Sequence, residues 1–207
     1  MNATVCIPWR AQPDRLPAYD RVRNFWSHFG FPVIIADSDE GKPFHISEAR
    51  NNAVFEADTD NIILADADTI PDMGAVYEAL ENECVTYPFT TYRHIRADYV
   101  NAADLMTAPV DREYRRSVGG VLVCPRQQYW NLGGMDERFE ARWGYEDNAF
   151  HIVASTLGWV KRVSGYIWSF NHAADRDLTD DNPNKHRFAL YQAAAGKPAM
   201  MRELIKK

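Results

Sequence analysis

The chain has 207 residues, a formal net charge of −6, and 46% apolar and 13% aromatic residues. That content excludes a disordered chain, and the acidic balance argues against nonspecific nucleic-acid binding, which needs basic patches. No stretch approaches the roughly 18 apolar residues of a membrane span, and the opening MNATVCIPWR lacks the basic and apolar regions of a secretion signal. Cys6, Cys84 and Cys124 are unclustered and lie in or beside apolar runs. They read as reduced core thiols, so the expectation is a soluble cytoplasmic protein with one domain over residues 1–207.

In chain order, residues 4–8 read as a strand and 17–29 as a helix, with Val22, Phe25, Trp26 and Phe29 at helical spacing. Residues 32–36 form a second strand closed by Asp37, and 47–57 a helix with Ala49, Ala53 and Val54 on one side. Residues 61–65 form a third strand, followed at once by Asp66-Ala67-Asp68. Asp72 caps a helix running to Asn82, and 84–89 is a fourth strand. This alternation predicts an α/β fold with a mainly parallel central sheet flanked by helices.

The second half is less regular. Residues 119–124 read as a strand and 126–132 as a short helix ending at Gly133-Gly134. Phe150, Val153 and Leu157 mark a helix over 145–157 with Gly158 as its stop, and 159–170 is extended. The polar residues 171–182 have no period and read as a mobile active-site loop. Asn182-Pro183 then opens a C-terminal helical segment over 183–207, closed first at Gly196-Lys197-Pro198.

Asp66-Ala67-Asp68 is the central clue. Ligands of open α/β sheets bind beyond the carboxyl ends of the strands, where this triplet falls. Two carboxylates so close repel each other, and a hard cation relieves that repulsion. A short acidic turn that is merely solvated is the plain alternative. Other residues supply company. Ile7-Pro8-Trp9-Arg10 puts a cation at the same edge, and Asp37 ends the second strand there. Phe44-His45-Ile46-Ser47-Glu48-Ala49-Arg50-Asn51 precedes the third strand. Later come Gly119-Gly120, Gly133-Gly134-Met135-Asp136-Glu137, Trp143-Gly144-Tyr145-Glu146-Asp147-Asn148 and Asn171-His172.

In this order, from about Val5 to His172, the set resembles the GT-A glycosyltransferases. It is most similar to the β-1,4-galactosyltransferases and the catalytic domain of polypeptide N-acetylgalactosaminyltransferases. The markers are the Ile-Pro-x-Arg start, Asp-x-Asp before Ile-Pro, the Gly-Gly strand, the Trp-Gly-x-Glu-Asp block and the later His. The resemblance implies a nucleotide-sugar donor, a UDP-hexose or UDP-N-acetylhexosamine, and a divalent cofactor, Mn2+ or Mg2+. It matches Arg10 and Asp37 to nucleotide-holding positions, Asp68 to the direct metal ligand, Asp66 to the ribose or metal, and His172 to the histidine ligand. Arg50, Gly119 and Gly120 join the donor side; Trp143 and Asp136 are the acceptor-side candidates. One position departs: the galactosyltransferases place a methionine ligand three residues before the histidine, and here it is Ser169.

The chemistry supports these roles separately. Sugar transfer breaks a bond to a diphosphate leaving group, and a cation with Arg10 stabilises the charge that builds there. An inverting enzyme needs a carboxylate to take the acceptor proton. Asp147 is assigned that role, and Glu146 the binding of donor or acceptor hydroxyls. Acids in a helix's first turn also simply complement its dipole. Glu146, however, falls on the buried stripe, where a carboxylate needs a partner. Trp143 is either a wall of an acceptor pocket or a core residue, and the glycines permit close approach of a sugar or serve turns. Arg112-Glu113-Tyr114-Arg115-Arg116 reads as a solvated helix face, with contact to an anionic acceptor as the other reading.

Two competing functions remain open at this level. A sugar-nucleotide nucleotidyltransferase normally follows its first strand with a Gly-rich loop, and residues 7–13 contain no Gly. A non-catalytic nucleotide-sugar-binding module would keep the donor residues without requiring Asp147. A glycosidase needs neither Asp37, Arg10 nor a metal set. The acceptor, whether saccharide, protein or modified base, is not specified by these motifs.

Overall fold

The computed structural model describes residues 2–171 and 181–206. Its central sheet begins with β1 (Ala3–Pro8), wholly buried, paired in parallel with β2 (Val33–Ala36) and β3 (Asn61–Ala65). The crossovers are α1 (Leu16–His28), which buries Val22 and Trp26, and α2 (Ile46–Glu56), which buries Ala49, Ala53 and Val54 as the spacing predicted. β3 keeps the predicted bounds, because NIILA is too apolar to lie anywhere but mid-sheet. Asp72 caps α3 (Met73–Leu80) by accepting from the Gly74 N–H at 2.9 Å.

Beyond β3 lie β8 (Val121–Pro125), β5 (Val85–Tyr87) and β9 (Val160–Arg162), giving the order β2-β1-β3-β8-β5-β9. The sheet is mainly parallel as expected; β8 runs antiparallel to both its neighbours. α4 (Arg126–Asn131), α5 (Glu146–Leu157), α6 (Pro183–Ala194) and α7 (Pro198–Ile205) complete the helices. Asn182 caps α6 with Pro183 at its first turn, and α7 packs against α5 and α6. Cys6, Cys84 and Cys124 are buried free thiols.

A second sheet was not foreseen. It has the order β4-β10-β6-β7, built from β4 (Thr69–Pro71), β10 (Tyr166–Phe170), β6 (Thr91–Ile95) and β7 (Val110–Arg115). The extended residues 159–170 thus divide between the two sheets. Residues 112–116 are corrected from a helix face: Arg112–Arg115 lie in β7 and Arg116 follows with φ of 61°. The solvated part of that reading holds, since every β7 residue is exposed. A run dominated by charged residues carries no clear periodicity of its own, and the ladder with β6 makes it a strand. The predicted loop falls largely outside the described residues, as does His172. No helix among the described residues is long and apolar enough to cross a membrane.

Candidate active site

β1, β2 and β3 are parallel, so their carboxyl ends deliver Arg10, Asp37 and Asp66 to one edge. Arg10 Nε meets both Asp37 oxygens, at 2.8 and 3.0 Å. Its other nitrogens donate to the carbonyls of Ser38 (3.2 Å), Asp39 (2.9 Å) and Lys42 (2.6 Å). Arg10 and Asp37 therefore shape the 38–42 loop as one unit at the sheet edge.

The Asp66-Ala67-Asp68 turn joins the two sheets. The Asp66 N–H donates to the Gly120 carbonyl at 2.8 Å, and the Phe170 N–H donates to the Asp68 carbonyl at 3.0 Å. The Thr69 hydroxyl donates to the carbonyls of Asp66 and Gly120. Asp68 is buried, with Arg15 Nη2 3.5 Å from its carboxylate. Gly120 adopts φ of +101°, and a Cβ there would lie 2.7 Å from Ile167 Cδ1 and 3.0 Å from Tyr92 Cε2. Only glycine fits that junction.

Arg50 joins the halves of the chain. It projects from α2, whose cap His45 accepts from the Glu48 N–H through Nδ1 while Nε2 meets the Phe139 carbonyl at 2.5 Å. The Arg50 side chain is 4% exposed; Nη2 donates to Asp66 Oδ1 at 2.7 Å and Nη1 to Asp147 Oδ1 at 2.8 Å. Glu146 Oε1 is 3.7 Å from the same Nη1. One cation thus faces three carboxylates. Burial, opposed by Arg50 and reinforced by Glu146 and Asp66, pushes the Asp147 carboxyl up to about 7. Burial raises Glu146 as well. Desolvation, then the charges of Asp68 and Asp66, holds the Tyr92 phenol well above its ordinary range.

Local backbone aims this pair. Tyr145, immediately before α5, takes the left-handed conformation at φ 77°, with its ring stacked on Phe188 of α6 at 5.3 Å. The opposite flank is close: a Cβ on Gly119 would lie 2.9 Å from Asp147 Oδ2. Arg50, Leu64, Asp66, Val118, Gly120, Met135 and Asp147 line a recess at this point.

The structure therefore gathers Arg50, Asp66, Gly119, Gly120, Glu146 and Asp147, with Asp68 on the same turn. Trp143 is 47% exposed in the stretch between α4 and α5. Asp136 belongs to another cluster: Arg138 Nε meets Oδ1 at 2.7 Å, while Arg187 Nε and the Tyr191 hydroxyl meet Oδ2 at 2.5 and 2.7 Å. It and Glu146 border a shallow pocket also lined by Arg138 and Tyr191. Arg15 and Tyr92 were missed by sequence reasoning; both sit in irregular or polar contexts, and only the fold brings them to Asp68.

Among the described residues, no group of three or more His, Cys, Asp or Glu is placed to hold a metal ion. Asp66 and Asp68 nevertheless offer the oxygen donors a hard divalent cation prefers. Arg50 engages one oxygen of Asp66, and Arg15 lies 3.5 Å from the Asp68 carboxylate.

A family described as the N-terminal domain of galactosyltransferase matches residues 103–173. The catalytic domain of Drosophila β1,4-galactosyltransferase 7, solved with xylobiose, is 18% identical with a TM-score of 0.63, covering 90% of this chain and 79% of that one. The chain has the GT-A glycosyltransferase fold. A mutant of the same Drosophila enzyme with manganese, UDP-Gal and xylobiose gives a TM-score of 0.62 at 18% identity, over 90% of this chain and 78% of that one. S. aureus TarS with UDP-GlcNAc gives 0.57 at 10% identity, over 99% and 70%. No curated protein sequence matches the chain. As a GT-A protein it resembles the β-1,4-galactosyltransferases, and the galactosyltransferase match spans β7, β8 and the Glu146-Asp147 helix.

Proposed function

We propose that this protein is a divalent-metal-dependent glycosyltransferase moving a hexosyl or N-acetylhexosaminyl group from a UDP-sugar to an acceptor hydroxyl with inversion. The observation that carries this reading is the buried Arg50 bridge from Asp66 to Asp147, which connects the donor edge of the sheet to a carboxylate poised near neutrality. Asp68, with Asp66 and His172, would hold Mn2+ or Mg2+, whose positive charge would offset the negative charge building on the departing diphosphate. Arg10 and Asp37 shape the nucleotide end of the site, and Gly119 and Gly120 let the Asp147 carboxylate and the second sheet pack closely against the donor edge.

Asp147 takes the proton of the acceptor hydroxyl as that oxygen bonds to the anomeric carbon and the bond to the diphosphate breaks. Glu146 holds sugar hydroxyls, and Arg50 keeps both acids in place. Trp143 supplies an exposed aromatic wall for the acceptor. Asp136 enters only through the pocket it shares with Glu146, because Arg138, Arg187 and Tyr191 occupy its oxygens. The galactosyltransferase match and the UDP-sugar and saccharide complexes of the structural neighbours support this class over a nucleotidyltransferase.

The test is thermal unfolding with UDP. UDP raises the melting temperature in Mn2+ and leaves it unchanged in EDTA, because a ligand of the native state stabilises it. An unchanged melting temperature in both sinks the donor reading.

A further inference from the structure

We infer that the acceptor is a saccharide bearing an anionic group, a carboxylate or a phosphate, which Arg112 recognises on the second sheet. This rests on the transferase reading above and names its acceptor class. The register decides which side chains share a face. Tyr114 pairs with Tyr92 and Arg112 with His94, the last pair before the ladder bulges at Asp111, and on β10 Ser169 aligns with His94. Ser169 in turn pairs with Thr69 of β4, next to Asp68. Thr69, Ser169, His94 and Arg112 therefore form one row across four strands, and cross-strand partners point to the same side.

That side is the site's own. Tyr92, Ile167 and the Thr69 methyl are the atoms that crowd Gly120, so this face looks onto the Asp66–Asp68 turn. Along it the rings of Tyr92, His94 and Tyr114 follow one another at 5.0 and 5.6 Å. Tyr114 is 44% exposed. Such a row offers flat apolar faces for sugar rings and polar edges for hydroxyls.

The other face of the same strands carries its own ion pair. There Arg93 pairs with Glu113 at 2.9 Å and lies 4.3 Å over the Tyr166 ring. Arg112, by contrast, has an imidazole rather than a carboxylate across the strand. Three strand spacings separate Thr69 from Arg112, about 14 Å. That distance sets Arg112 beyond a diphosphate held at Asp68, at the outer end of the aromatic row. A planar guanidinium there suits a carboxylate or phosphate bidentately.

The experiment uses matched acceptors with a UDP-sugar and Mn2+: 4-nitrophenyl β-glucoside against the β-glucuronide, and glucose against glucose 6-phosphate. The anionic member of at least one pair is preferred about ten- to hundredfold in kcat/KM, the range of a charge-assisted hydrogen bond. The glucuronide and phosphate arms separate the two anion types. Arg112→Gln brings that ratio toward one while UDP still raises the melting temperature, and Glu113→Gln, on the opposite face, leaves the ratio intact. Equal use of both members, use of neutral members alone, or no transfer to any anionic member overturns the inference. So does a loss of UDP stabilisation in Arg112→Gln, which would assign the residue to the donor. Failure of the transferase reading looks different: no UDP stabilisation and no UDP release with any acceptor.

Discussion

Two ionic clusters in this protein use the same residue types to opposite ends. At the sheet edge, one buried arginine, Arg50, serves Asp66, Asp147 and Glu146, and burial raises both α5 carboxyls. Near the C-terminal helices, one carboxylate, Asp136, is served by Arg138, Arg187 and Tyr191. Burial there also works against ionisation, but the hydrogen bonds from Arg138, Tyr191 and Arg187 outweigh it and Asp136 is lowered. Arg138 then passes the restraint on, donating to the Leu204 carbonyl at 2.7 Å. A surplus of acid over base leaves carboxylates able to accept a proton or a cation. A surplus of base over acid locks a carboxylate into holding helices.

The largest test of that contrast is Asp147→Asn. It retains UDP stabilisation and loses sugar transfer by about two to four orders of magnitude, the contribution of a general base, measured by product formation. Full activity would remove Asp147 from the role and make the two clusters alike.

Arg50→Met strips from three carboxylates the arginine they share. Urea unfolding at pH 8 should show a loss of about 3–5 kcal/mol, as for one partner removed from a buried pair. The loss shrinks at pH 5, where Asp147, raised to about 7, is protonated and needs no cation. A pH-independent loss would mean that packing, not charge, makes Arg50 important.

Gly119→Ala presses a methyl against Asp147 Oδ2, a 2.9 Å approach. Steady-state kinetics should show transfer reduced by up to about 10²-fold, the effect of a displaced catalytic group. Asp136→Asn, in the other cluster, costs about 1–3 kcal/mol in urea unfolding from weakened buried hydrogen bonds. It leaves UDP stabilisation unchanged; loss of UDP binding would merge the clusters functionally.

The smallest effect is in pH dependence. Transfer needs Asp147 ionised, so kcat/KM rises with pH up to about 7 and then levels. The stabilities move oppositely. Asp147, raised, favours folding below its unfolded value of 3.8 and loses that contribution as pH climbs through about 7. Asp136, lowered, contributes above 3.8 and loses its share only as pH falls through its folded value. Melting curves of Asp147→Asn and Asp136→Asn against the parent chain, from pH 3 to pH 8, separate the two.

Much of this was legible in residues. The first three strands, their helices and the Asp72 cap follow from apolar periodicity and capping chemistry, which act within a few residues of chain. Asp66 and Asp68 stood out because two close carboxylates after a buried strand repel, Glu146 because it falls on a buried stripe, and Asp147 because it ends the Trp-Gly-x-Glu-Asp block where a base is needed. β7 did not: an exposed strand of charged residues has no internal pattern, and its helix-like charge run was misleading.

The sequence by itself determined the α/β class, the acidic turn after β3 and the acidic start of α5, since each is a local matter of pattern and burial. Tertiary structure alone decided that Arg50 ties those two acidic segments together, 16 residues along the chain from Asp66 and 97 from Asp147. It also decided that Asp136 sits in its own cluster, and that Arg112 shares a face with His94 and Tyr92. The reason is physical: a partner's distance along the chain says nothing about its distance in space, and ionisation depends on the latter.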